Sequence, residues 1–166
     1  MRTESPWILR PIRPADDAEV AAIIRTVMTE HGASGPGFAI HDPEVDHMSR
    51  SYAGPEARYY VVEHDGRVLG GAGFARLQGS PPQPPTCELR KMYFRQQARG
   101  QGLGASMMNL LLDEMRAAGF RRCYLETTTQ MQAAQRLYRA SGFSPLCAAE
   151  GATGHHGCDT FYAREL

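Results

Sequence analysis

Residues 94–115 read FRQQARGQGLGASMMNLLLDEM, with three glycines at alternate positions, Gly100, Gly102 and Gly104, directly before an apolar repeat at helical spacing. Leu103, Met107, Leu110, Leu111, Met115 and Ala118 share one face of that helix, Gly119 closes it, and TCELRKMYF ahead of the glycines reads as a strand. Glycine lacks a Cβ, so it tolerates unusual dihedrals and lets another group approach the backbone. A helix start carries unpaired N–H groups and a partial positive charge. A glycine turn feeding a helix therefore makes an anion site, commonly for phosphate, unless it is only a tight strand-to-helix turn. Two known phosphate loops do not fit. No Lys follows the glycines as a P-loop requires, and the G-x-G-x-x-G spacing of dinucleotide sites is absent. The pattern present is Arg99-x-x-Gly102-x-Gly104-Ala105.

The rest of the chain supplies further elements around this unit. WILRPIRP reads as a short first strand. PADDAEVAAIIRTVMTEHG reads as a helix capped by Asp16 or Asp17, with Val20, Ile23, Ile24, Val27 and Met28 at helical spacing and Gly32 at its end. DPEVDHMSRSYAG predicts a second helix, with Asp42 as cap and Pro43 in first position. RYYVVEHDGRVLGGAGFARL predicts two strands around an Asp65-Gly66 turn. The proline-rich QGSPPQPP joins neighbouring strands. RCYLETT is a strand, QMQAAQRLYRASGF a helix closed by Gly142, SPLCAAEGATGHHG irregular, and CDTFYAREL a last strand. The order β-α-α-β-β-β-α-β-α-β predicts a mixed α/β sheet in a single domain, residues 1–166.

Composition narrows the function. A 42% hydrophobic, 22% charged chain of 166 residues suits a soluble one-domain protein. Eighteen basic against eighteen acidic residues give no electrostatic reason to expect a nucleic-acid or membrane partner. Cys87, Cys123, Cys147 and Cys158 form no C-x-x-C pair, which suits a reduced, cytoplasmic protein, and the first three are expected as buried small residues. MRTESPWILRPIRP lacks the apolar stretch of a secretory leader, and no apolar run approaches a membrane span.

The Arg99–Ala105 pattern, after a strand and before an amphipathic helix, resembles the R/Q-x-x-G-x-G/A loop of the GNAT superfamily of acetyl-CoA-dependent N-acyltransferases. Downstream, AAQRLYRASGF resembles the family's A-x-x-L-Y-x-x-x-G-F segment through Ala134, Leu137, Tyr138, Gly142 and Phe143. One strand separates the two motifs, as in the family. Motif likeness covers about residues 86–143, and the element order extends it over nearly the whole chain. The resemblance implies a GNAT-like fold, a mixed and mostly antiparallel twisted sheet flanked by helices, with acetyl-CoA as cosubstrate and no metal. It implies that Arg99, Gly100, Gln101, Gly102, Leu103, Gly104 and Ala105 wrap the pyrophosphate. It also implies that Met92 and Phe94, with Tyr93 between them, pair with the pantetheine arm where two strands splay apart, that a backbone N–H near Met92 is the oxyanion donor, and that Ala134 lies at the cofactor. Tyr138 would aim its hydroxyl at the thioester sulfur. Many members carry Asn three residues before that alanine; here Met131 stands there, with Thr127, Thr128 and Thr129 just upstream.

Acetyl transfer to an amine needs a base for the amine, polarisation of the thioester carbonyl, and an acid for the departing thiolate. Tyr138 is the candidate acid. Glu88 is the candidate base, four residues before Met92 and so on the same side of the strand, with Glu126 its rival and an ion pair with Arg90 or another cation the purely structural alternative. His155, His156 and Cys158 in GHHGCD could suggest a metal or a covalent cysteine. Adjacent histidines diverge on extended backbone and share one metal poorly; the resemblance, in which the C-terminal strands border the acceptor pocket, implies instead that His155 and His156 line that pocket. Phe38 and His41 are candidates for the opposite wall. The expected partner is a small-molecule or peptide amine, and a homodimer is compatible with this. The rival classes are an inactive acyl-CoA-binding regulatory module and a nucleotide-phosphate enzyme reusing the loop.

Overall fold

The computed structural model describes residues 6–166; residues 1–5, part of the stretch read for a leader, lie outside it. One sheet of seven strands runs in the order β1-β2-β3-β4-β5-β7-β6. The strands are β1 (Ile8–Pro11), β2 (Arg58–His64), β3 (Arg67–Arg76), β4 (Thr86–Phe94), β5 (Arg122–Thr127), β6 (Ser144–Leu146) and β7 (Thr160–Glu165). The helices are α1 (Asp17–Glu30), α2 (Met48–Ser51), α3 (Leu103–Ala117) and α4 (Gln132–Ala140). All neighbours are antiparallel except β4 and β5, the pair that α3 connects. Among the described residues no helix is long and apolar enough to cross a membrane.

Alternation along the strands divides the core in two. Val62, Phe74, Leu89 and Leu125 face α3, whose Met107, Met108, Leu111 and Met115 are buried there, while Leu110 is only half-buried. Tyr59, Val61 and Val68 face α1, whose Val20, Ile23, Ile24 and Val27 fill the other side. The β2–β3 turn has both central residues left-handed, Asp65 at φ 50° and Gly66 at φ 72°, as the hairpin signal requires.

Several local expectations fail. The segment read as irregular contains β6, three residues that pair with β7 at the sheet edge, where Pro145 is tolerated. The second helix is broken into a 3-10 turn, Pro43–His47, and the short α2. Neither Asp16 nor Asp17 caps α1 itself, nor Asp42 its turn; Asp16 accepts the Arg13 amide at 2.7 Å one turn earlier, at the start of the 3-10 turn Pro14–Asp16. Asp16 also accepts from the Arg10 guanidinium at 2.8 and 3.0 Å, and Asp17 from the Ser49 amide and hydroxyl. Cys87 and Cys123 are buried, but Cys147 is exposed.

The largest departure is in β4. Gly71 pairs with Tyr93 and Gly73 with Arg90, so Lys91 and Met92 together oppose Ala72 in a β-bulge, with Lys91 at φ 50°. The bulge reverses the alternation. Met92 packs with Leu89 on the α3 side, whereas Glu88, opposite Ala75, lies on the α1 side with Tyr93. Glu88 and Met92 therefore do not share a face.

Glycines in β3 hold this bulge in place. A Cβ on Gly71 would sit 2.6 Å from the Tyr59 ring, and one on Gly73 would sit 2.3 Å from the Arg58 carbonyl oxygen. The bare backbone leaves room for the buried Tyr59 ring, whose hydroxyl donates to the Lys91 carbonyl at 2.8 Å. Gly73→Ala must push backbone against backbone, and roughly 2 kcal/mol of stability should be lost. Urea unfolding measures it; a loss under about 0.5 kcal/mol would show that the sheet yields freely there.

Candidate active site

Pairing between β4 and β5 covers only Thr86–Glu88 against Arg122–Tyr124. Both strands continue beyond it and separate, so the β5-facing edge of β4 from Leu89 to Phe94 has no strand partner. A groove of about 290 Å³ opens there, lined by Met92, Tyr93 and Phe94 from β4, the glycine loop, and Ala134, Leu137 and Tyr138 from α4. Gly100 and Gly102 have φ 73° and 75°, where a side chain is strained. Gly102 is the N-cap of α3 and offers no side chain, so the opening amides of Leu103, Gly104 and Ala105 have no intrahelical acceptor. Gly104 packs closely on α4, since a Cβ there would be 3.1 Å from Leu137. Gln101 and Ala105 are exposed beside the groove and do not line it. Arg99 braces the loop, donating to the Phe94 carbonyl at 2.8 Å and to Glu30 at 3.0 Å.

The inner end of the groove, at Met92, Tyr93, Met131 and Tyr138, is shared with an enclosed chamber of about 50 Å³, room for a water or two. Glu88, Glu126, Phe38, His155 and Cys158 also line the chamber. Glu88, Arg90 and His155 in turn border an outer cavity of about 630 Å³ on the other side. Groove, chamber and outer cavity are thus neighbours in a row, with Tyr138 in the wall shared by the first two and Glu88 in the wall shared by the last two. The hydroxyls of Thr127 and Thr128 are buried at the splayed end of β5 with no hydrogen-bond partner among the described residues. They sit beside Met131, and they leave donors free for a polar group entering the slot.

The two carboxylates differ. Glu88 is 3% exposed and accepts from Arg90 Nε at 2.7 Å. Glu126 accepts from the Thr153 hydroxyl at 2.7 Å and the Tyr124 hydroxyl at 3.1 Å, and forms no salt bridge among the described residues. Burial, aided by the charge of Glu88, pushes its carboxyl above the usual range, against the pull of those bonds. Burial also pushes the Tyr138 phenol up, so it stays a proton donor, and no described residue bonds its hydroxyl. The Cys158 thiol is pushed up to about 12, by burial first and then by the charge of Glu126, so little thiolate is present at neutral pH.

Residues read as structural, or passed over, surround the outer end. Lys91, its side chain 1% exposed, donates to Asp42 at 2.7 Å and also to Glu44. Glu44 accepts from the Tyr52 hydroxyl at 2.8 Å. Asp42 bonds His155 Nε2 at 2.9 and 3.0 Å. Burial works to raise Asp42, but the bonds from His155 and Lys91 and their charge outweigh it and hold the carboxyl below the usual range. The bond to Asp42 pushes His155 up against burial. The signal available in the sequence was Arg90-Lys91, a charged pair inside an otherwise buried strand. Two expected wall residues lie off these cavities: His41 bonds the Ser34 carbonyl at 2.9 Å, and the exposed His156 ring packs against Gly37. Among the described residues no three His, Cys, Asp or Glu side chains are grouped to hold a metal ion.

Comparisons with known proteins agree with this geometry. The family model described as "Acetyltransferase (GNAT) family" matches residues 23–143. The uncharacterized N-acetyltransferase YjgM of Escherichia coli K12 is 39% identical over 164 residues, 98% of this chain and 96% of its own. Among solved structures, a GNAT-family acetyltransferase of Staphylococcus aureus Mu50 superposes with TM-score 0.82 at 15% identity, over 97% of this chain and 99% of its own. Salmonella typhimurium yncA, solved with its cofactor acetyl-CoA, gives TM-score 0.76 at 22% identity, over 96% and 94%.

Proposed function

The chain belongs to the acetyltransferase (GNAT) family and is an N-acetyltransferase-type acyltransferase, and we propose that it passes an acetyl group directly to an amine within a ternary complex. Acetyl-CoA, the acyl donor of the family, supplies the activated thioester. The observation that carries the proposal is the row of three adjoining cavities, glycine-loop groove, chamber and outer cavity, with Tyr138 and Glu88 in the walls they share.

In this reading the opening amides of α3 take the pyrophosphate, with Arg99 fixing the loop that presents them. The unpaired edge of β4 and the free hydroxyls of Thr127 and Thr128 take the pantetheine arm. Glu88 receives the amine's proton through a water in the chamber, and a backbone N–H near Met92 donates to the carbonyl oxygen. Tyr138 gives its proton to the departing sulfur. The protonated Cys158 thiol favours direct transfer over an acyl-enzyme. Tyr138→Phe should lower kcat by roughly 10-fold to 100-fold, the modest end of acid catalysis, because a thiolate leaves readily without full protonation. Acetyl-CoA affinity should stay unchanged; an unaltered kcat would remove the acid role.

A second reading puts the base at Glu126, favoured by its raised carboxyl and by its having no salt bridge of the kind that ties Glu88 to Arg90. Glu88 remains preferred because it alone of the two borders the outer cavity from which an acceptor enters.

Thermal unfolding with acetyl-CoA, beside ATP and NAD and beside Arg99→Glu, tests the core of the proposal. At about 100 times its Kd acetyl-CoA should add roughly 2.7 kcal/mol of stability, less in the variant. No shift with acetyl-CoA, or an equal one with ATP or NAD, would overturn the assignment of the groove.

A further inference from the structure

We infer that the acceptor is a small amine that also carries an acidic group, its amine directed to Glu88 and its acid to Arg50 and His47 at the cavity mouth. The inference rests on the acetyl-transfer reading and names the substrate class for that same site.

The argument is one of unmatched charge. The outer cavity, about 630 Å³, is of the size that takes small molecules. Its inner wall carries Asp42, Glu44 and Glu88, and each is already matched by the protein: Glu88 by Arg90 at 2.7 Å, Asp42 by Lys91 at 2.7 Å and His155 at 2.9 Å, Glu44 by Lys91 and the Tyr52 hydroxyl. The mouth is different. Arg50 and His47 line it, are exposed, and pair with no carboxylate among the described residues. The one acid beside them in the chain, Asp46, is taken by Arg25 through two bonds of 2.8 and 2.9 Å. A plain cationic amine would therefore meet the unpaired Arg50 guanidinium at the entrance. An amine bearing a carboxylate or similar acid removes that obstacle. It approaches with little net charge, its acid finds the guanidinium fork of Arg50, and its amine lies on the side of the chamber.

Size also favours a small molecule over a chain. The connection before α2 and the segment before β7 are tied across the chamber by the His155–Asp42 bond and by the Gly157 amide on the Gly37 carbonyl at 2.9 Å. The Phe38 ring lies against Gly157, where a Cβ would come within 2.8 Å. An extended peptide could not continue past that tie.

The test measures thiol release from acetyl-CoA by the full chain. The acceptors are free α- to ε-amino acids, the same compounds as amides, the corresponding decarboxylated amines, and dipeptide amides. The wild type should prefer the acid-bearing set by about tenfold or more in kcat/KM, the worth of a charged hydrogen bond. Arg50→Ala should raise KM for that set alone by a similar factor, and Arg50→Glu should reverse the preference. His47→Gln should weaken the acid-bearing set less. The stabilisation by acetyl-CoA should be equal in wild type and variants, which separates loss of the acceptor site from loss of the fold. Equal use of amides, amines or dipeptide amides, or an Arg50→Ala effect shared by every acceptor, would overturn the inference and leave acetyl transfer standing. No release with any amine, despite acetyl-CoA binding, would overturn acetyl transfer and this inference together.

Discussion

Glu88→Gln is expected to cut kcat by roughly 10²-fold to 10³-fold near neutral pH while leaving acetyl-CoA binding intact. The glutamine has nearly the same shape but cannot accept a proton. Without the base, the amine must arrive already deprotonated, and that fraction rises tenfold with each pH unit below the amine's own pKa. The deficit should therefore shrink as pH rises. This pH signature is what a merely structural role would not produce. Loss of the Arg90 pair would lower stability at every pH where the carboxylate is charged, and would not be repaired by alkali. Glu126→Gln is the matched control. Its carboxyl is already pushed up by burial, so a neutral amide costs little there, and activity should fall by less than about tenfold. If Glu126→Gln shows the larger, pH-repaired loss, the base is Glu126.

The parts of the fold that were legible in the sequence are those set by local rules. The Asp65-Gly66 hairpin, the strand Thr86–Phe94 and the helix opening after Gly102 rest on turn chemistry, alternation and helical spacing, and each stands where those rules put it. The groove side of the site shares this property, because Gly100, Gly102 and the start of α3 are one contiguous stretch. The acceptor side does not. Asp42 ahead of Pro43 looks like a helix cap, a strong local signal, yet its partners Lys91 and His155 lie 49 and 113 residues away. The period of two put Glu88 beside Met92 only for an unbroken strand. The bulge that parts them depends on Tyr59 from β2, two strands away, and on glycines of the β3 strand between, and nothing within TCELRKMYF announces it. His41 and His156 were placed at the site by residue type and loop position. Only one histidine of the 155–156 pair faces it, since the chain turns there, with the Cys158 amide donating to the His155 carbonyl and the His156 ring carried against Gly37.

The same network sets the largest expected effect on stability. Lys91→Met should lower unfolding free energy by roughly 3 kcal/mol, the lower end for breaking a buried ion pair. Methionine matches the length of lysine but donates no hydrogen bond, so Asp42 and Glu44 would face each other without the cation between them. Their side chains are 24% and 20% exposed, which lets water relieve part of the strain and argues against the upper end. The backbone bulge should survive, because Tyr59 holds the Lys91 carbonyl and not its side chain. Acetyl-CoA stabilisation should therefore persist, while the acceptor side loosens as Asp42 loses one of its two anchors. Adding Asp42→Asn and Glu44→Gln to Lys91→Met removes the opposed charges and should restore about half the loss or more, since a cation site without its anions no longer leaves charge buried. Urea unfolding of the single and triple variants decides it. A single-variant loss under about 1 kcal/mol would mean that these groups behave as a solvent-screened surface pair, and that the outer cavity is not held in shape by Lys91.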